Sequence, residues 1–127
     1  MSDTPEEIEF AFTPRFTRWL RKADLVTPVN RLMEQLKGDP TSGDVIPGSR
    51  GIRKVRMAGA GRGKRGGFRV IYTILIEGTL LVLLDGYSKS DKDDLTADEL
   101  ADLLTAAAGV ERRVRAERAA NTETEEG

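Results

Sequence analysis

The sequence predicts a small α+β domain in which an N-terminal strand and two helices precede an antiparallel β-meander and a C-terminal helix. Two segments near the N-terminus carry apolar residues at the spacing of one helix face. Apolar segments separated by glycine-containing turns follow in the middle of the chain, which is typical of consecutive antiparallel strands. We expect one domain over residues 8–118, with a disordered lead at 1–7 and a disordered acidic tail at 119–127.

Composition excludes several classes of chemistry. The 127 residues include no cysteine and no histidine, which excludes disulfides, thiolate metal sites and histidine-based catalysis. Any catalysis must use carboxylates, Lys, Arg, Tyr or hydroxyl groups. The chain has no apolar run of the roughly 18 residues that indicate a membrane span, and it opens on an acidic, polar segment. We therefore expect no membrane association, no signal peptide and a cytoplasmic location.

The N-terminal third predicts a strand followed by a helical hairpin. Residues 8–12 alternate large apolar residues with others, as a strand does. Thr13 and Thr27 are each followed by proline, which predicts two helix starts with threonine as the N-cap. The second helix should end near Lys37, because Gly38 follows it. The two apolar stripes consist of Phe16, Trp19 and Leu20, and of Val29, Leu32, Met33 and Leu36.

A loop over residues 38–51 leads into a predicted strand at 52–57. Side chains alternate between the two faces of a strand. Val55 and Met57 are expected in the core, while Ile52, Lys54 and Arg56 are expected on the more exposed face. Arg53 shares the core parity, but it stands near the start of the strand, where its long side chain can still reach water.

Two more strands and a helix complete the predicted fold. The glycine-rich residues 58–67 form a flexible tip, strands at 68–77 and 79–87 are joined by Gly78, and residues 88–94 form a polar loop. Thr96 and Glu99 fit a capping box at the start of the last helix. The apolar stripe of that helix consists of Leu100, Leu103, Leu104, Ala107 and Val110.

Residues 50–69 carry a concentration of positive charge, although the whole chain has a net charge of −1. The segment contains eight basic residues and no acidic one: Arg50, Arg53, Lys54, Arg56, Arg62, Lys64, Arg65 and Arg69. Such a cluster favours a polyanionic partner. A phosphate-binding P-loop is disfavoured, because Lys64 is followed by Arg65 and a strand rather than by Ser or Thr and a helix. A solvated basic loop without function is the remaining alternative.

The pattern favours an RNA site. Lys54 and Arg56 project from one strand face, Arg69 opens the next strand, and Tyr87 and Lys89 end the last, so that together they can surround one phosphate. An RNA 2′-hydroxyl can attack its own 3′ phosphate if a base, charge stabilisation and an acid are present. Tyr or Lys can supply the proton steps if its pKa is lowered. The residues leave the assignment of base and acid open.

Three ordered motifs carry a family resemblance. GDVIPGSRGIRKVRMAGAGRGKRGGFRVIYTIL and then LLVLLDGYSKSDKDDLTADEL are similar to the HigB-like branch of the RelE/ParE toxin superfamily, over most of residues 43–99. The resemblance implies a small microbial-RNase-like fold and a type II toxin that cleaves mRNA in the ribosomal A site. It also implies neutralisation by a neighbouring antitoxin, such as a helix-turn-helix HigA-like protein, and neither a metal nor another cofactor.

Individual residues of this sequence match positions in the motifs of the family. The resemblance assigns catalysis to Lys54, Arg56, Arg69, Tyr87 and Lys89, and contact with the RNA backbone to Arg62, Lys64 and Arg65 of the glycine-rich tip. We also expect Arg50 and Arg53 to bind RNA, because they belong to the same basic segment. Arg50 stands where the family has a glycine.

The superfamily fold also hosts other activities. A ParE-like topoisomerase inhibitor, an inert relative that only binds its antitoxin, and a phage-derived host-arrest protein are therefore alternatives. The density of cations at 53–69 favours RNA over these.

Overall fold

A computed structural model of the chain describes residues 7–59 and 67–126. Its elements in chain order are β1 (Glu9–Phe12), α1 (Pro14–Lys22), α2 (Val26–Gly38), β2 (Asp44–Val45), β3 (Arg53–Met57), β4 (Phe68–Leu75), β5 (Leu80–Ser88) and α3 (Ala97–Glu126). Most of the predicted lead and of the predicted glycine-rich tip lies outside the described residues. No described helix is long and apolar enough to cross a membrane.

One five-stranded sheet organises the molecule, with the strand order β1-β5-β4-β3-β2. The strands β3, β4 and β5 form the predicted antiparallel meander. The first strand, β1, pairs in parallel with β5, which places the longest apolar strand inside the sheet. The α+β prediction is confirmed. The two-residue strand β2 was missed, because the Gly- and Pro-rich sequence around it predicts a loop.

Both faces of the sheet are covered. Helices α1 and α2 pack on one face around Phe16, Leu32, Leu36, Val70, Tyr72 and Leu83. Helix α3 packs on the other face around Ile71, Leu80, Val82, Leu84, Leu103 and Val110. Because β5 lies between these two layers, its near-continuous apolar sequence is buried on both sides.

Strand parity is confirmed for β3 with one correction. Val55 and Met57 are buried in the α1–α2 layer. Ile52 was expected on the more exposed face, but it is only 1% exposed and packs under α3. The second helical layer covers this end of the face, and sequence parity alone does not reveal that layer.

The two N-terminal helices begin differently. Thr13 caps α1 as predicted: its hydroxyl accepts a hydrogen bond from the Phe16 backbone N–H at 3.0 Å and donates one to the Leu84 carbonyl at 2.8 Å. The predicted cap at Thr27 is wrong, because α2 begins at Val26 and its N-cap Leu25 makes no side-chain cap. Proline is tolerated anywhere in a first helical turn, so Pro28 does not fix the first residue.

The β4–β5 hairpin turns earlier than predicted. Ile76 and Glu77 have positive φ angles of 51° and 55°, followed by Gly78 at 84°, so β4 ends at Leu75 rather than at Glu77. Ile76 packs against the α3 layer. The left-handed residues reverse the chain and break the alternation of faces.

The C-terminal helix confirms its predicted start but extends further than predicted. Thr96 and Glu99 form the capping box, with N–H to side-chain oxygen distances of 2.8 and 3.1 Å. The segment predicted as a disordered tail from residue 119 is helical through Glu126. Arg118 fastens the helix to the opposite end of the sheet, because its guanidinium donates to Thr79 Oγ1 at 2.8 Å and to Glu9 Oε1 at 2.9 Å.

Candidate functional site

Strand register brings the predicted site residues into one row. Arg56 on β3 pairs with Arg69 on β4, and Arg69 pairs with Tyr87 on β5. Directly paired residues point to the same face of a sheet, with Cβ atoms about 4.5–5.5 Å apart. Two like charges held opposite each other destabilise a sheet unless an anion lies between them. The row therefore has the form of an anion site.

Two clefts flank this pair of arginines. The first, about 490 Å³, has the polar lining Gln35, Ser42, Asp44, Lys54, Arg56 and Arg69. The second, about 400 Å³, is formed by the ends of β3 and β4 together with Lys89. Arg56 and Arg69 line both clefts. An anion held by these two guanidiniums is thus reachable from two sides.

Lys54 lies two residues from Arg56 on the same face and is already engaged by an acidic residue. Its ammonium is 3.3 Å from Asp94 Oδ1 in the loop before α3. Hydrogen bonds from the Leu95 backbone N–H and from Lys54 hold the pKa of Asp94 below its usual range. The site is therefore partly masked by a carboxylate of the same chain.

Tyr87 has an environment that opposes a role as a base. The side chain is only 5% exposed, and its hydroxyl lies 3.5 Å from the Asp93 carbonyl. Burial raises the pKa of Tyr87, nearby Asp94 raises it further, and Arg69 lowers it only in part. This direction is opposite to the lowered pKa that proton abstraction requires, so the environment favours a protonated phenol, which can donate a hydrogen bond.

Lys89 stands at the far side of the arginine pair. Its backbone N–H donates to the Gly67 carbonyl at 3.2 Å, which fixes the start of the loop after β5 beside the start of β4. Its side chain lines the second cleft and not the first.

The predicted RNA-binding residues are distributed differently. The Arg53 guanidinium donates to the carbonyls of Thr41 and Gly43, at 3.1 and 2.6 Å, and so holds the loop before β2. Arg50 is exposed and keeps the left-handed φ of 60° at the position where the family has glycine, but it lines neither cleft. Arg62, Lys64 and Arg65 lie outside the described residues.

Sequence reasoning missed the far wall of the first cleft. Gln35 and Ser42 are joined by a hydrogen bond of 3.3 Å, and Asp44 pairs with Lys54 across β2 and β3. The loop composition concealed β2, so no signal placed Asp44 beside the basic strand. Within the described ranges, no group of three or more acidic side chains is placed to hold a metal ion.

Comparison with known proteins identifies the family. A family model described as "RelE toxin of RelE / RelB toxin-antitoxin system" matches residues 12–126. The chain belongs to the RelE toxin family. Among solved structures, this RelE-family chain is similar to a mutant of the Escherichia coli toxin RelE in the free state. The TM-score is 0.53 at 11% identity, and the match covers 81% of this chain and 96% of that one.

The structural similarity confirms the predicted RelE-like fold. At 11% identity it concerns the fold of this RelE-family toxin and not its individual residues.

Proposed function

We propose that this RelE-family toxin is a ribosome-dependent endoribonuclease of the HigB-like branch, which cleaves mRNA in the A site by attack of a 2′-hydroxyl on the adjacent phosphate, without a metal. The supporting observation is the Arg56–Arg69 pair, held opposite each other on β3 and β4 and lining both clefts. Family membership supports a toxin of a toxin–antitoxin pair, and the basic strand residues favour RNA as the target.

The side chains divide into roles by position. The two guanidiniums bind the scissile phosphate and stabilise the charge that develops on its oxygens, which is usually the largest catalytic contribution. Lys54 adds a point charge once it leaves Asp94. Tyr87, which stays protonated, donates a hydrogen bond to the same phosphate group. Arg50, Arg62, Lys64 and Arg65 are assigned to docking on the RNA backbone, which depends on salt.

The positive charge of the clefts also indicates which kind of antitoxin segment can bind there. An exposed cationic cleft favours an acidic segment of a partner protein, which excludes RNA by occupying the same guanidiniums. A helix-turn-helix HigA-like protein in the cytoplasm is the partner we propose.

The test is expression of the protein alone, followed by mapping of message 5′ ends on translating ribosomes. The wild type should arrest growth and produce cleaved messages. Arg56→Ala and Arg69→Ala should each reduce cleavage about 10²–10³-fold, the usual effect of removing one charge-stabilising donor. The matched control is Arg113→Ala, because Arg113 is an exposed arginine that pairs with Glu117 on α3 and touches neither cleft. It should cleave like the wild type.

Intact messages in arrested cells would contradict the ribonuclease. Arrest with DNA-damage signalling would instead indicate the topoisomerase inhibitor, and absence of arrest would indicate an inert relative. If both arginine variants remain fully toxic, the proposed site is wrong, although the protein can still be a ribonuclease.

A further inference from the structure

We propose that the carboxylate of Asp44 is the general base of the cleavage, acting from the opposite side of the arginine pair from Lys89, which is the general acid. This inference rests on the ribonuclease function proposed above. It adds a residue that carries no basic charge and to which the resemblance assigns no role, although it lies in the GDVI motif.

The arrangement of the two clefts carries the proposal. Asp44 lines the first cleft and not the second, Lys89 lines the second and not the first, and Arg56 and Arg69 line both. Displacement at phosphorus is in line, so the attacking and leaving oxygens lie on opposite sides of the phosphate. A phosphate on the two guanidiniums therefore has a carboxylate on one side and an ammonium on the other.

Other groups near the site are unsuited to accept a proton. Lys54 is an ammonium in an ion pair with Asp94 and has no lone pair. Asp94 is itself engaged by that pair and by the Leu95 backbone N–H. Asp85 accepts from the Gly86 backbone N–H at 2.8 Å and pairs with Arg15. Tyr87 is buried and protonated.

Asp44 combines a fixed backbone with an available side chain. The preceding Gly43 is clamped twice: its N–H donates to Tyr72 Oη at 2.9 Å and its carbonyl accepts from Arg53 at 2.6 Å. Asp44 itself is registered opposite Lys54. Yet across residues 7–59 and 67–126, nothing forms a hydrogen bond or ion pair with its carboxylate, which is therefore held in place and free to accept.

The Asp44 carboxylate shares its cleft with charged side chains from two neighbouring strands. Strand β3 contributes Lys54 and Arg56, β4 contributes Arg69, and the loop before α3 contributes Asp94 through its pair with Lys54. Helix α2 contributes only the neutral Gln35. The Asp44 carboxylate thus lies in a cleft that it shares with three cationic side chains.

The step balances without a co-reactant. Asp44 takes the proton of the 2′-hydroxyl, and the freed oxygen lone pair forms a bond to phosphorus. The bond from phosphorus to the 5′ oxygen breaks, its electrons stay on that oxygen, and Lys89 protonates it. The products are a 2′,3′-cyclic phosphate and a 5′-hydroxyl, and solvent returns the proton from Asp44 to Lys89.

The test measures single-turnover cleavage of mRNA on purified ribosomes across a pH series. Asp44→Asn should slow cleavage about 10²–10⁴-fold, the usual contribution of a general base. The wild-type rate should rise with pH on its acidic limb, and this limb should disappear in Asp44→Asn. The matched control is Asp39→Asn in the same loop, since the Asp39 side chain accepts from Thr41 and lines neither cleft. It should retain both the rate and the limb.

Binding separates a base from a positioning residue. Ribosomes carrying an mRNA with a 2′-deoxy nucleotide at the cleavage position should bind Asp44→Asn at least as tightly as wild type, because a negative charge near phosphate has been removed. Asp44→Ala should repeat both results, and circular dichroism should confirm that each variant is folded.

The outcomes distinguish the two proposals. If the wild type cleaves mRNA and Asp44→Asn does so with the same rate and pH profile, Asp44 is not the general base. The proposed ribonuclease is unaffected by that result. Loss of binding together with cleavage also overturns it, in favour of a positioning role. Absence of cleavage by the wild type overturns the proposed ribonuclease, and this inference with it.

Discussion

The two tyrosines of the molecule illustrate how placement decides the role of a side chain. Tyr72 is fully buried, and its hydroxyl donates to the Pro40 carbonyl at 2.7 Å while accepting from the Gly43 N–H at 2.9 Å. Tyr87 is almost as buried, but among the described residues its hydroxyl donates only to the Asp93 carbonyl, at 3.5 Å. The first fixes the loop that carries Asp44, and the second is the hydrogen-bond donor of the arginine row in the function that we propose.

Tyr72→Phe should destabilise the protein by about 1–3 kcal/mol, because the buried Gly43 N–H and the Pro40 carbonyl both lose their partner. Urea unfolding measures the change. The matched control is Tyr87→Phe, which removes a hydroxyl with only one long contact and should cost less. Equal losses in the two variants would contradict the clamp on the loop.

At the scale of elements, the start of α3 and its length have different origins. The capping box is a local signal, because Thr96 and Glu99 satisfy each other's backbone N–H groups. The far end of the helix is held by tertiary contacts, with Val114 buried against the sheet and Arg118 bonded to Thr79 and Glu9. These contacts extend the helix through a sequence that by composition resembles a solvated tail.

Thr96→Ala should lower the free energy of unfolding by about 1 kcal/mol, the usual cost of removing an N-cap. Thermal or urea unfolding measures it. The control is Thr105→Ala on the exposed face of the same helix, which should be neutral or slightly stabilising because alanine favours a helix interior. A larger loss from Thr105→Ala than from Thr96→Ala would show that the box does not act as a cap.

At the scale of the whole molecule, one arginine of α1 links the sheet and the α3 layer through two carboxylates. Arg15 of α1 lies 3.6 Å from Asp85 of β5 and 3.8 Å from Asp102 of α3. Burial raises the pKa of Asp85, and the Gly86 N–H and Arg15 offset this only in part. On the opposite face of β5, helix α1 packs so closely that a Cβ added at Gly86 would clash with the Trp19 ring.

The raised pKa of Asp85 gives stability a defined pH dependence. In the window above the ordinary Asp pKa of 3.8, the folded state retains a proton that the unfolded chain releases, so the Asp85 contribution falls as pH rises through the folded pKa. The stability of Asp85→Asn relative to wild type should therefore increase from about pH 3 to pH 7. Urea unfolding across this range tests it. Asp102→Asn, at a carboxylate whose side chain is 69% exposed, is the control and should change less. A relative stability that falls with pH would contradict the buried charge.

Most of the architecture could be predicted from sequence because its signals are local. Apolar periodicity located every helix and the four longer strands, and the cap at Thr13 and the box at Thr96 fixed two helix starts. The errors occurred where a long-range contact decides. Ile52 is buried by a helix from the other end of the chain, and β2 exists because β3 pairs with it.

The fold class, the meander and the cationic strand positions could be predicted from the sequence, because periodicity and charge are properties of neighbouring residues. Which of those cations lie together depends on contacts between residues far apart in the chain. Strand register places Arg56 opposite Arg69. Loop contacts engage the other two side chains: Arg53 donates to the Gly43 carbonyl, and Lys54 forms an ion pair with Asp94. Register also brings Asp44 to the cleft, since pairing between strands depends on backbone hydrogen bonds that no local pattern encodes.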